Sequence, residues 1–290
     1  MGHHYVPQQY LRAFESQPGS GLVWMFDRQS KVTKEVPIKG SAQAPDYYEP
    51  EIERQLSAIE GPAHAALARV IATGTIENDD REILAYYVAV MMYRGPRRRR
   101  KSKELIPEVL ETTIADLQTR IDEWASTKTE DDPMVKRRRT EVAAIAEKYR
   151  LEPPQSVTDQ VRSPWPSEQV FQIVARKTWR LIVAGVNREQ FVTADSPAFF
   201  FEGYGLGDPK SELTFPLSPR LALIADWQGE PYSVQMVSAK PGLVREVNRR
   251  VVSGAERFVF SSVPQPWLPV VAGKANPFLS RIDWTAGNRR

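Results

Sequence analysis

From Glu49 onward, apolar side chains recur at three- and four-residue steps: Ile52, Leu56, Ile59, Ala63, Ala66, Leu67 and Val70. That period predicts an amphipathic helix ended by Gly74, with Pro62 expected to kink or break it. A second helix is predicted from Asp80 to about Arg94, capped by Asn78 or Asp79 and stopped by Gly95-Pro96. Ile83, Leu84, Tyr87, Val88, Val90, Met91 and Met92 leave it apolar over most of its surface, which assigns it to the centre of the core. Residues 104–126 and 135–149 predict two further helices joined at Asp131-Asp132-Pro133. Leu105, Val109, Ile114, Leu117 and Ile121 mark only a narrow stripe on the first. The expectation is a polar, protruding hairpin, a lid or an arm for a protein partner.

Elsewhere the period is shorter. Pro7 can open a short helix that puts Tyr10, Leu11 and Phe14 on one face. Leu22–Asp27 and Val32–Ile38 predict a β-hairpin, and Ser41–Tyr48 a loop. The Pro-rich stretch 150–166 is the predicted boundary. Beyond it, Ser167–Lys177 predicts a helix, and Thr178–Ala184 and Gln190–Thr193 two strands around Val186–Glu189. Leu213–Leu217, Leu221–Trp227, Ser233–Val237 and Arg257–Ser261 predict further strands, with a helix over Pro241–Ser253. The fold class is α+β: a helical N-terminal half (1–150) and a mainly antiparallel sheet half with one or two helices (151–290), expected to form one composite globular unit.

Composition narrows the chemistry. The chain has 290 residues, and with 41% apolar and 26% charged residues it is neither disordered overall nor fibrous. No apolar run approaches the ~20 residues of a membrane span, and the start Met1-Gly2-His3-His4-Tyr5 lacks a signal-peptide pattern. A cytoplasmic protein without a membrane partner is expected. The absence of cysteine excludes disulfides, thiolate metal sites and cysteine nucleophiles. There is no phosphate-cradling loop, dinucleotide fingerprint, Gly-x-Ser-x-Gly elbow or His-Glu-x-x-His, so the common nucleotidase, dehydrogenase, esterase and zinc-protease designs are disfavoured.

Charge is small in total and uneven in place. Lys and Arg number 39 against 36 Asp and Glu, a net of +3. Arg94, Arg97, Arg98, Arg99, Arg100, Lys101 and Lys103 form one basic run and Lys136–Arg139 another, with nine acids between residues 104 and 132. The basic runs can neutralise phosphates of a nucleic acid, RNA in particular, or fold back on those acids. The first run lacks the interleaved aromatics that would strengthen an RNA reading.

The candidate chemistry gathers at the two ends of the chain. His3 and His4 can exchange protons near neutral pH, and Gln8 and Arg12 lie four apart on one helix face. An imidazole, an amide and a guanidinium in one volume suit a phosphate or carboxylate. Asp195, in Thr193-Ala194-Asp195-Ser196-Pro197, closes a strand at a proline turn, where a carboxylate serves either a site or an Asx turn. Asn248 sits mid-helix, where asparagine is unfavourable without a partner. Arg94 ends an apolar helix, where it either projects into a site or meets the last carbonyls. Glu53 and Glu60, two helical turns apart, share a face.

The opening His3-His4-Tyr5-Val6-Pro7-Gln8-x-Tyr10-Leu11-Arg12-x-Phe14 resembles the N-terminal motif of the family called domain of unknown function 4238. Trp24–Arg28, Glu53 with Glu60, Arg94 with Pro96, Thr193–Pro197, Phe215–Pro219, and Asn248 with Ala255–Ser261 resemble later motifs in the same order. Ala194 stands where that family usually has serine. The resemblance selects His3, His4, Gln8, Arg12, Arg94, Asp195 and Asn248, and implies a composite site drawn from both halves.

On this basis the sequence points to a phosphodiester-cleaving, RNase-like enzyme. His4 would act as base or acid, Asp195 would orient it or hold a divalent ion, and Arg12 or Arg94 would stabilise charge on phosphate. His3, Gln8, Asn248 and Arg97–Arg100 would contact substrate. The competing expectations are a non-catalytic module that binds a small anion, a nucleic acid or a protein, and an N-terminal motif that only clamps the two halves together.

Overall fold

The protein is described from a computed structural model covering residues 2–45, 47–129, 132–154, 157, 163–185, 189–201, 203–274 and 279–284. It divides into two compact units: Met1–Arg98 with Pro164–Arg290, and Arg99–Ser163. The fold is α+β, with helices mainly in the N-terminal half and sheets mainly in the C-terminal half.

In the larger unit, β1 (Gly2–His4) leads through Pro7 into α1 (Gln8–Arg12). Tyr10, Leu11 and Phe14 are all buried, as their shared face predicts. The predicted hairpin forms as β2 (Leu22–Asp27) and β3 (Val32–Pro37). The predicted loop after it holds one short strand, β4 (Gln43–Pro45), which pairs with β1 in the register His3↔Ala44 and His4↔Gln43.

Helix α2 (Pro50–Thr73) runs through Pro62 without a break. Pro62 and Ala58, whose carbonyl loses its partner there, are both exposed, so water can satisfy that carbonyl. Gly74 ends α2 at φ +70°, the left-handed conformation that favours glycine. The next helix, α3 (Asn78–Arg94), begins at Asn78, the first of its two expected cap residues. Its N-cap is Glu77, and no side chain caps it. Its burial on nearly every face from Leu84 to Met92 confirms the central position read from the sequence.

The smaller unit contains most of α4 (Pro96–Ala125) and all of α5 (Pro133–Leu151). The first basic run is helical, because Pro96 suits a first helical turn and the arginines and lysines after it are good helix formers. Glu111–Arg150 and Asp122–Arg139 ion pairs lock α4 and α5 antiparallel.

After α6 (Glu168–Arg176) come β5 (Thr178–Val183), β6 (Thr193–Ala194), β7 (Phe199–Phe200), β8 (Leu213–Ser218), β9 (Leu221–Asp226), β10 (Val234–Ser238), α7 (Pro241–Gly254), β11 (Phe258–Ser261) and α8 (Leu268–Ala272). Among the described residues, β10-β5-β9-β8-β7 make a five-stranded sheet and β3-β2-β11-β6 a four-stranded one. β10 and β5 are parallel, and the other pairs are antiparallel. β5 and β6, read from sequence as neighbours, lie in different sheets, and part of their connection falls outside the described residues. Tyr10 ties the N-terminal motif to both sheets. Its hydroxyl meets Thr193 Oγ1 and donates to Pro216 O, both at 2.7 Å, while its ring stacks on Phe215. No helix among the described residues is long and apolar enough to cross a membrane.

Candidate functional site

Strand alternation sends His3 and His4 to opposite faces of β1. His3 Nδ1 accepts the Tyr48 backbone N–H at 3.1 Å. His4 Nδ1 lies 3.0 Å from Ser41 O, an atom that can only accept, so Nδ1 carries the proton. Nε2 is then the lone-pair nitrogen, and the Gln8 amide donates to it at 3.0 Å. Tyr5 N–H binds the next carbonyl, Ala42 O, and Ala42 is held at φ +50° where Ser41 and Ala42 meet the N-terminal segment. Burial lowers the His4 pKa below 6.5. The Arg94 charge acts in the same direction, while the Ser41 bond and the Glu53 and Glu60 charges oppose it. His4 is therefore neutral at pH 7.

Helix α2 supplies the acids. Glu53, Glu60 and His64 stand at i, i+7 and i+11, a single stripe along the helix, and all three are half-buried. One carboxylate oxygen of Glu53, Oε2, is buried with no hydrogen-bond partner among the described residues. Glu60 is paired with Arg94, the last residue of α3, whose side chain is 2% exposed. Arg94 Nη2 also donates to His4 O at 2.5 Å, and its own carbonyl accepts the hydroxyls of Tyr48 and Tyr47. His64 Nε2 lies 3.3 Å from the Tyr87 hydroxyl. Burial lowers its pKa as well, with Arg94 adding to the effect and Glu60 opposing it. A cavity of about 360 Å³ opens beside His64, lined also by Gln9, Arg12, Leu67, Ile71 and Ser218. No three His, Asp or Glu side chains among the described residues converge as a metal ion would require.

The structure brings together His4, Gln8 and Arg94 with Glu53 and Glu60, all singled out in the sequence, and adds His64. His64 was legible only as a continuation of the Glu53–Glu60 stripe. Arg12 stays at the cavity edge, half-exposed, its Nη1 3.2 Å from Glu15 Oε1.

Asp195 departs from its expected place beside His4. It is 1% exposed, and its carboxylate accepts the backbone N–H groups of Glu256 (2.8 Å), Arg257 (2.6 Å) and Phe258 (2.8 Å). Burial pushes its pKa up to about 6 while those three donors pull it down. Both His4 ring nitrogens are used elsewhere, so the expected imidazole–carboxylate pair does not form. Asn248 is also used structurally: Nδ2 donates to Gln190 O at 2.8 Å and Oδ1 accepts Val192 N–H at 3.0 Å.

The basic runs are largely committed within their own units. In the larger unit, Arg97 Nη1 donates to Ser253 O, and Arg98 lies over the Tyr93 ring at 5.0 Å. In the smaller unit, Arg99 is partly buried, Arg100 pairs with Glu104, Arg137 and Arg138 with Glu141, and Arg139 with Asp122. Arg100 and Arg139 fold back on acids of residues 104–132, Arg137 and Arg138 pair within α5, and this pairing weakens the field a phosphate backbone would meet.

These features define an α+β protein whose N-terminal segment and two longest helices of the larger unit share one polar site. Residues 2–264 match the family model described as protein of unknown function (DUF4238), and the chain belongs to that family. No curated protein and no solved structure matches the chain.

Proposed function

We propose that the His4 site is an acid–base centre that cleaves a phosphodiester, with RNA as the substrate class. The observation that carries this reading is the fixed tautomer of His4: Nδ1–H is held by Ser41 O, so the basic lone pair belongs to Nε2. Gln8 holds that lone pair at rest and yields it to substrate. Nε2 takes the proton of the attacking hydroxyl, the hydroxyl oxygen bonds to phosphorus, the bond to the leaving oxygen breaks, and solvent protonates the leaving oxygen. The imidazolium so formed is stabilised through space by the charge of the Glu53 carboxylate, whose Oε2 has no hydrogen-bond partner among the described residues. Arg12, one helical turn beyond Gln8 on α1 and half-exposed, takes the anionic charge in place of the buried Arg94.

The test is turnover of labelled RNA and DNA oligonucleotides by the purified chain beside His4→Ala and Glu53→Gln, with far-UV spectra to verify folding. His4→Ala is expected to lose at least 100-fold in rate. Equal rates in all three proteins remove the proposal.

The second reading is a structural clamp, favoured by Arg94 binding the His4 carbonyl and by the buried bonds of Tyr10. On that reading His4→Ala lowers the melting temperature and changes no reaction.

A further inference from the structure

A second cavity, of about 270 Å³, lies in the larger unit and is built without any residue of the His4 site. Arg245, Asn248 and Arg249 at i, i+3 and i+4 on α7 form one wall, and Trp267 and Lys274, flanking α8, contribute another part. Glu189 completes the ring of charge, so the lining carries three cations against one anion.

Asn248 explains why the cavity exists. Its two amide bonds hold residues 190–192 against α7, and this fixes Glu189 at the rim, 2.8 Å from Arg245. Arg249 pairs with Glu246, but its Nε–H is buried with no partner among the described residues, an unmet donor on a residue of the wall. An indole beside two guanidinium groups and an ammonium suits a ligand that is planar at one end and anionic at the other. The family match ends at residue 264. The α7 wall therefore falls within the family's span, while Trp267 and Lys274 come from sequence beyond it.

We propose that this cavity binds a nucleoside monophosphate, with its base against Trp267 and its phosphate between Arg245, Arg249 and Lys274. Glu189 exchanges its bond to Arg245 for a ribose hydroxyl. The volume fits one such unit better than an oligonucleotide, and the site stands independently of catalysis at His4.

The test is calorimetric titration of the full chain with the four ribonucleoside monophosphates, with adenosine and with inorganic phosphate. At least one monophosphate is expected to bind saturably, ten-fold or more tighter than either adenosine or phosphate. Arg245→Gln and Lys274→Met, both at exposed positions, should each weaken it by at least three-fold. Trp267→Ala should weaken it by ten-fold, with Trp267→Phe close to wild type. His4→Ala should bind normally, which separates this site from the proposed reaction. Failure of all four monophosphates to saturate, phosphate binding as tightly as the best of them, or no change in the Arg245 and Lys274 variants overturns the proposal.

Discussion

Arg94 Nη2 donates to the backbone carbonyl of His4 across ninety positions of sequence, while its other terminal nitrogen pairs with Glu60. One buried guanidinium, at the end of α3, thus ties the strand that carries the candidate base to α2, the helix that carries its acidic surroundings. Removing it leaves a partly buried Glu60 and a carbonyl without their partner. Arg94→Met is expected to destabilise the protein by roughly 3 kcal/mol, read from urea unfolding. Adding Glu60→Gln to that variant should restore about 1 kcal/mol, because the stranded charge is gone. No recovery would show that the Glu60 charge is not what the loss of Arg94 exposes.

The Gln8 amide on His4 Nε2 gives a second test, one that separates proton chemistry from packing. Burial holds the His4 pKa below 6.5, so a reaction that needs the neutral imidazole should be level near pH 7–8 and fall on acidification, with an inflection below 6.5. Gln8→Glu puts a carboxylate against Nε2, favours the imidazolium and should move the inflection upward. Gln8→Ala should leave the melting temperature nearly unchanged and still alter the profile. A profile identical in all three proteins would remove His4 from the proton-transfer step.

Much of this architecture was legible wherever an element was long enough to bury a face. α3 declared itself through its nearly continuous apolar surface, and its end through Gly95-Pro96. β1 and β4 are three residues each and carry His3, His4 and Gln43 in place of an alternating apolar pattern, so local reading could not find them. β5 and β6 are near in sequence but take their partners from residues 221–238 and 258–261, a pairing set by long-range packing. The motif residues divide on the same principle. His4 and Gln8 could be grouped through the short helix that Pro7 opens, whereas Arg94 joined them only through the family resemblance. Asp195 and Asn248 look equally polar in sequence, yet each spends its side chain on backbone groups, a role that depends on a loop arriving from elsewhere.

Because Asp195 collects three backbone N–H groups, its role is predicted to be structural. Asp195→Asn turns one acceptor into a donor facing an N–H that is already buried. The expected cost is about 2–4 kcal/mol in chemical denaturation. Protection of the amides of Glu256, Arg257 and Phe258 from hydrogen exchange should fall with it. If the variant keeps full stability and those amides stay protected, the carboxylate is not what holds this turn.

Lys177 makes stability pH-dependent on the alkaline side of neutrality. It is fully buried: Nζ donates to Ser211 Oγ at 2.6 Å and to Ser211 O at 3.1 Å, and it lies over the Trp227 ring. Burial depresses its pKa from 10.5 to about 7, against the opposing charges of Asp226, Glu212 and Asp208. Between these two values the unfolded chain holds a proton that the folded protein has released. Stability must therefore rise with pH across that window, and the full penalty of a buried ammonium is felt below pH 7. From pH 7 to pH 9 the rise is at most about 3 kcal/mol. Above pH 10 the tyrosines act in the opposite direction, because burial raises the pKa values of Tyr5, Tyr10 and Tyr87 and the unfolded chain ionises them first. Denaturant midpoints at pH 7, 8 and 9 should climb for the native chain and stay nearly flat for Lys177→Met. The methionine removes the titrating group and keeps most of the side-chain volume, so the slope reports the proton even though the lost Ser211 bonds lower the absolute stability. Parallel slopes for the two proteins would mean that Lys177 stays protonated in the fold across this range.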